Sequence, residues 1–176
     1  KTELKNELPD NFYACRKNGQ NDGYICQLIQ NDSVEEFIAI FNKNNYSLRS
    51  IIEPSIYETN PFLLEEKFEQ EPINYFYNYY VPKVLKTTLI EYAAFYGSIQ
   101  IFNYLRMNGV NLKSSLWLYA IHGKNADIIH LLEENHVKPH DYLQCYIESI
   151  KCHHNDIANY LLTNYLQNET EIFNIT

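Results

Sequence analysis

The chain is poor in glycine and methionine, with 5 Gly, 1 Met and 1 Trp among its 176 residues, and poor in positive charge, with 14 Lys+Arg against 22 Asp+Glu. The scarcity of base argues against a nucleic-acid partner, because clustered lysines and arginines supply most of the non-specific affinity for phosphate backbones. No apolar run reaches the roughly 20 residues that span a bilayer, so no membrane partner is expected. Residues 1–22 lack the apolar stretch of a secretory signal. Lys1 stands where a whole protein would have methionine, which leaves room for a longer parent chain. The four cysteines, Cys15, Cys26, Cys145 and Cys152, lie in two distant pairs in a chain large enough to do without staples. They read as free thiols of a reducing compartment, and the localisation expected is cytoplasmic, with the nucleus allowed. The Asn-x-Ser/Thr sequons at Asn31, Asn45, Asn168 and Asn174 then carry no weight, since they matter only in a secreted protein.

What is abundant is apolar and aromatic mass, 45% and 15% of residues, enough for one substantial core. That mass is organised as a repeat. "LIEYAAFYGSIQIFNYLRMNG", "LWLYAIHGKNADIIHLLEENH" and "CYIESIKCHHNDIANYLLTNY" share one grammar. A polar residue opens a second helix at Gln100, Asp127 and Asp156. It is followed by Ile101-Phe102, Ile128-Ile129 and Ile157-Ala158, then by Leu105, Leu132 and Leu161. At helical spacing these apolar residues share one face. Small side chains recur where the first helix must pass close to the next: Ala93, Ala120 and Ser149.

Local signals give the helices ends. Thr88 and Ser115 are good N-caps, and Thr88 with Glu91 three residues on forms a capping box. Gly97 and Gly109 sit where each helix of the first copy must stop. Copies two and three lack those glycines, with Lys124 and His153 at the first site and His136 and Tyr165 at the second. Trp117, at a frame position, reads as core, with an indole N–H that needs an acceptor. Upstream, "YICQLIQNDSVEEFIAIFNKNNYSL" fits the same frame as a divergent or capping copy: Phe37-Ile38 is set against Ile101-Phe102, Phe41 against Leu105 and Asn45 against Gly109.

The first copy resembles an ankyrin repeat: Thr88-Leu89-Ile90-Glu91 stands at the family's Thr-Pro-Leu-His start, Ala93-Ala94 at its alanine pair, and Gly97 and Gly109 at its two turns. The spacing of Gln100, Asp127 and Asp156 is 27 and then 29 residues, shorter than the family's roughly 33. These short, degenerate copies are similar to a protist group of ankyrin-domain proteins without a known activity. The resemblance implies an all-α, ankyrin-like helical solenoid of about four short repeats with a long insertion after the first. In residues, 1–22 is an N-terminal extension, 23–46 a divergent repeat and 47–87 an aromatic, proline-punctuated insertion. The further repeats are 88–113, 114–141 and 142–167, and 168–176 is a tail.

Within the insertion, Pro54, Pro61, Pro72 and Pro82 forbid one long helix. Residues 63–71 have the pattern of a short amphipathic helix, and "INYFYNYY" (73–80) is strand-like or irregular. Its aromatics, Tyr77, Tyr79 and Tyr80 among them, read either as a cover packed across the stack or as an interaction patch.

The ankyrin resemblance implies a non-catalytic adaptor or scaffold that grips a protein through the concave face. That face is lined by residues just before the inter-helix turns: Phe95 and Tyr96, His122 and Gly123, Lys151 and Cys152. Thr87, Ser114 and Leu143 precede the helix starts. Phe95 and Tyr96 read as a partner contact or as packing against the insertion. The expected state is a monomer or a weakly self-associating chain, self-association being assigned to residues 73–80.

The rival reading is a metal-binding or cysteine-based activity within residues 136–154, where His136, His140, Cys145, Cys152, His153 and His154 crowd together. Cys145 and Cys152 are seven apart, near one face of an unbroken helix, with His153 or His154 next to them. No Cys-x-x-Cys or uninterrupted His-x-x-x-His supports this reading, and Pro139 breaks the segment between His136 and His140. No phosphate loop, nucleophile elbow or zinc-protease helix occurs either. The expectation is therefore no enzyme, no cofactor and no metal, with Cys145, Cys152, His153 and His154 as the residues to watch.

Overall fold

The computed structural model describes residues 12–64, 67–69 and 83–167, predominantly as helix. Two compact units emerge, one from residues up to 27 together with 51–87, the other from 28–50 together with 88 onward. Among the described residues no helix is long and apolar enough to cross a membrane.

In the first unit, α1 (Phe12–Asn18) ends near the loop that follows residue 51. The Arg16 guanidinium donates to the Ile56 carbonyl, Thr59 N–H to the Gly19 carbonyl at 3.1 Å, and the Asn21 amide to the Glu53 carbonyl at 2.9 Å. A single turn, α4 (Pro61–Leu64), follows, and then an antiparallel pair, β1 (Lys67–Glu69) with β2 (Lys83–Leu85), in which Phe68 faces Val84. The expected helix over 63–71 is thus replaced by a turn of helix and a strand. Residues 73–80, with Tyr77, Tyr79 and Tyr80, lie outside the described residues.

The second unit holds the helical pairs. After the last residues of α2 (Tyr24–Gln30), whose first four belong to the first unit, and α3 (Val34–Asn44) come α5 (Leu89–Tyr96) with α6 (Ile99–Met107), α7 (Leu116–Gly123) with α8 (Ala126–Glu134), and α9 (Tyr142–Lys151) with α10 (Asn155–Leu161). Each first helix packs on its own second helix, and α5, α7 and α9 pack on one another in chain order. The apolar frame is the core: Ile101, Phe102, Leu105, Ile128, Leu132 and Leu161 are fully enclosed, and Ile129, Ile157 and Ala158 nearly so. Burying each large aliphatic side chain stabilises the fold by about 1.5–3 kcal/mol. Ala93, Ala120 and Ser149 are also enclosed, as the close passage of first helices requires.

The turns repeat in backbone detail. The first helix of a pair closes with an N–H to C=O bond spanning five residues: Ser33 to Leu28 (2.9 Å), Ser98 to Ala93 (2.9 Å) and His154 to Ser149 (2.8 Å). The second helix closes in the same way: Tyr46 to Phe41 (3.1 Å), Val110 to Leu105 (3.2 Å) and Val137 to Leu132 (2.9 Å). Bonds of this span need a left-handed residue between the partners. Gly97 and Gly109 fill that place in the first copy, while Asp32, Asn45, His136 and His153 adopt it with φ between 50° and 59°. Lys124 does the same at 49°. The conformation therefore survives where the glycine does not.

Three details differ from expectation. Phe37 is fully buried and its N–H bonds Ser33, as Phe102 bonds Ser98, so Phe37 matches Phe102 and the alignment of α3 is one residue off at its start. Phe41 and Asn45 keep their expected matches, because α3 is a longer helix than α6. Ser115 is helical and caps nothing; its hydroxyl donates to Glu91 Oε1 at 2.7 Å. Tyr165 takes no left-handed turn, since α10 runs on into a π-helical turn, Leu162–Leu166. Its ring stacks on Tyr142 at 4.1 Å, and both rings meet Trp117 edge-on. Trp117 is fully buried and its indole N–H finds the Val137 carbonyl at 2.7 Å.

Candidate functional site

Because α5, α7 and α9 are stacked, the last turns of the three helices bring a row of side chains together. The Tyr92 and Tyr96 rings lie 4.7 Å apart, Tyr96 and Phe95 5.1 Å, and Phe95 stacks on His122 of the next helix at 5.4 Å with 26° between planes. His122 reaches the third helix: its Nε2 is 3.1 Å from Glu148 Oε1, and Cys152 Sγ is 3.5 Å from Nδ1 and 3.8 Å from Nε2. Lys151 Nζ donates to the other Glu148 oxygen at 3.1 Å. Phe95, Tyr96, His122 and Cys152 are half-buried and Lys151 is exposed.

Expectation named Phe95, Tyr96, His122 and Lys151 as one surface, and they form one continuous row. It missed Glu148, which ties the row together from one turn before Cys152. Two other residues do not join it. Ser114 lies beyond the start of α7, roughly 12 Å along the helix axis from His122. Thr87 belongs to the first unit, where its carbonyl accepts from Ile52 N–H at 2.7 Å. Gly123 is committed to packing: a Cβ there would lie 2.3 Å from the Ala94 carbonyl oxygen.

The thiol and imidazole candidates are regrouped. Among the described residues, the group of three or more His, Cys, Asp or Glu donors close enough to share an ion is His122, Glu148 and Cys152, with donor atoms within 4.8 Å of one another. Cys145, His153 and His154 are absent from it. Cys145 is enclosed in the core, and burial pushes its thiol up to about 12. His153 is taken up by the left-handed turn, and His154 precedes the first turn of α10. Burial, with the nearby Glu148 carboxylate, also raises the Cys152 thiol above its ordinary value, while Lys151 opposes that rise. Cys152 is consequently held as a thiol, a poor nucleophile unless something stabilises its thiolate.

A second concavity in the same unit is lined by Arg49, Thr88, Ile90, Glu91, Val110, Lys113 and Leu116 and encloses about 180 Å³. It is smaller than the roughly 300 Å³ at which small-molecule pockets begin. Glu91 is engaged there in holding helix ends, accepting from Thr88 N–H (2.9 Å) and Thr88 Oγ1 (2.7 Å) as well as from Ser115.

No family model, curated protein or solved structure matches the chain.

Proposed function

We propose that the chain is a non-catalytic recognition module, an ankyrin-type stack that holds a protein partner along the row formed by Phe95, Tyr96, His122 and Lys151. The observation that carries this reading is the continuity of that row across three stacked helices. Aromatic side chains next to a cation are the composition in which binding energy concentrates at protein interfaces. The residues in it rest on rigid helix ends, so little ordering entropy opposes binding. A four-repeat solenoid with 23–46 as its divergent end and 47–87 as its insertion accounts for the recurring turns, and its repeats give a partner an extended surface.

The test is site-directed photo-crosslinking in native extract. A crosslinker at position 96 or 151 is expected to capture the same protein, which a crosslinker at Met107, exposed on α6, does not. Loss of that protein from Tyr96→Ala/Lys151→Glu, with unchanged helicity, supports the reading. Capture that is the same from all three positions removes the row as the binding surface.

A further inference from the structure

We propose that His122, Glu148 and Cys152 form a zinc site with three protein donors and a fourth position open to solvent. The donor spacing supports this. Zinc bonds of about 2.0–2.3 Å at tetrahedral angles separate neighbouring donors by roughly 3.3–3.6 Å. His122 Nε2 lies 3.1 Å from Glu148 Oε1 and 3.8 Å from Cys152 Sγ, values that bracket this spacing, and one donor atom from each of the three residues lies within 4.8 Å of the others.

The chemistry agrees with the spacing. A neutral imidazole, a carboxylate and a thiolate together balance the two charges of the ion, which suits a half-buried position. Nitrogen and sulfur donors select zinc over magnesium and calcium. The donors come from two helices of adjacent pairs, α7 and the end of α9, so an ion would tie those pairs together. Phe95 contributes from a third helix: its ring stacks on His122 and sets the plane of the imidazole, the orienting task that outer-shell groups perform at metal sites.

Lys151 acts in the opposite direction. Its ammonium sits on Glu148 Oε2 at 3.1 Å and competes with a cation for that carboxylate. Binding of zinc releases the Cys152 proton to solvent, with Sγ taking up the ion in its place.

The experiment titrates the full chain, stripped with chelator, with Zn(II) against a chromophoric competitor, and with Co(II) followed by absorption. One equivalent of zinc is expected to bind, and Co(II) to show a thiolate charge-transfer band with intense ligand-field bands of tetrahedral geometry. Cys152→Ser and Glu148→Gln are each expected to weaken zinc by more than about tenfold, Cys152→Ser to abolish the charge-transfer band, Cys15→Ser to change neither, and Lys151→Gln to tighten binding. Absence of a one-equivalent site in the wild type, or a charge-transfer band that persists in Cys152→Ser, overturns the proposal. Glu148→Gln, which keeps every thiol, decides the matter if Cys152→Ser does not fold: unchanged zinc affinity in it overturns the proposal.

Discussion

The α carbon of Gly123 faces the carbonyl of Ala94 so closely that a methyl group there would lie 2.3 Å from the oxygen and 3.1 Å from Gly97 N. Both neighbours are backbone, so neither can rotate away. Gly123→Ala must therefore push α7 off α5. A loss of about 1–3 kcal/mol, the ordinary cost of overpacking, is expected in urea unfolding, although alanine is the better helix former. An unchanged midpoint would show that the two helices are not held this tightly.

The left-handed residues give a prediction of the opposite sign. Lys124, His136 and His153 hold φ of 49°, 56° and 59°, a conformation that costs a residue with a Cβ about 1–2 kcal/mol. Glycine removes that cost and restores about 0.5–1 kcal/mol of chain entropy to the unfolded state. Lys124→Gly and His136→Gly should each raise stability by up to about 1 kcal/mol by that difference, visible as a higher melting temperature. Gly109→Ala, at φ 80° with open space around it, should lower it.

Asp32 offers a test of coupling between pairs. Its carboxylate accepts from Gln100 N–H at 3.0 Å and Ile101 N–H at 2.9 Å, capping α6 from 68 residues away in sequence. Asp32→Ala removes that cap and is expected to cost about 1–2 kcal/mol. Asp32→Asn keeps an acceptor and should lose less. Hydrogen exchange at Gln100 and Ile101 would locate the effect; uniform exchange across all helices would contradict it.

The tyrosine cluster at the end of the stack sets an alkaline limit. Tyr160 and Tyr165 hydroxyls donate to Glu133 at 2.9 and 2.6 Å, and burial together with that carboxylate raises both phenols above their ordinary value. A phenol whose folded value is raised favours the folded state in its protonated form. The contribution is thus complete below about pH 10 and declines as pH climbs beyond it. Stability should fall above that pH, with late tyrosinate absorbance accompanying unfolding. Tyr165→Phe should cost about 1.5–3 kcal/mol at neutral pH, the worth of a hydrogen bond to a charged group.

Much of the stack was legible because a 3.6-residue period and local caps act over a few neighbours. Ile101, Ile128 and Ile157 are buried as their spacing requires, the Thr88–Glu91 capping box forms, and Trp117 finds its acceptor. What was not legible depends on through-space partners. Ser115 has an N-cap's chemistry, but its backbone already has the helical conformation, and its hydroxyl turns to donate to the Glu91 carboxylate. As a metal or catalytic group Cys152 reads with Cys145, His153 and His154, whereas the stack sets its thiol against His122, 30 residues upstream. Glu148 gave no signal at all, because a lone acid on a helix looks like any solvated one. His122, Lys151 and Cys152 were legible by position, since each stands just before an inter-helix turn and stacked helices superimpose such positions.

The long insertion begins and ends at one place. Within the first unit Ile52 N–H donates to the Thr87 carbonyl at 2.7 Å, so the two ends of the segment 52–87 lie together. A segment tethered by touching ends adds only a logarithmic closure cost as it lengthens, about 0.6 kcal/mol for each doubling. Residues 52–87 can therefore lengthen at little cost in closure, so long as Glu53, Ile56 and Thr59 keep their bonds to Asn21, Arg16 and Gly19.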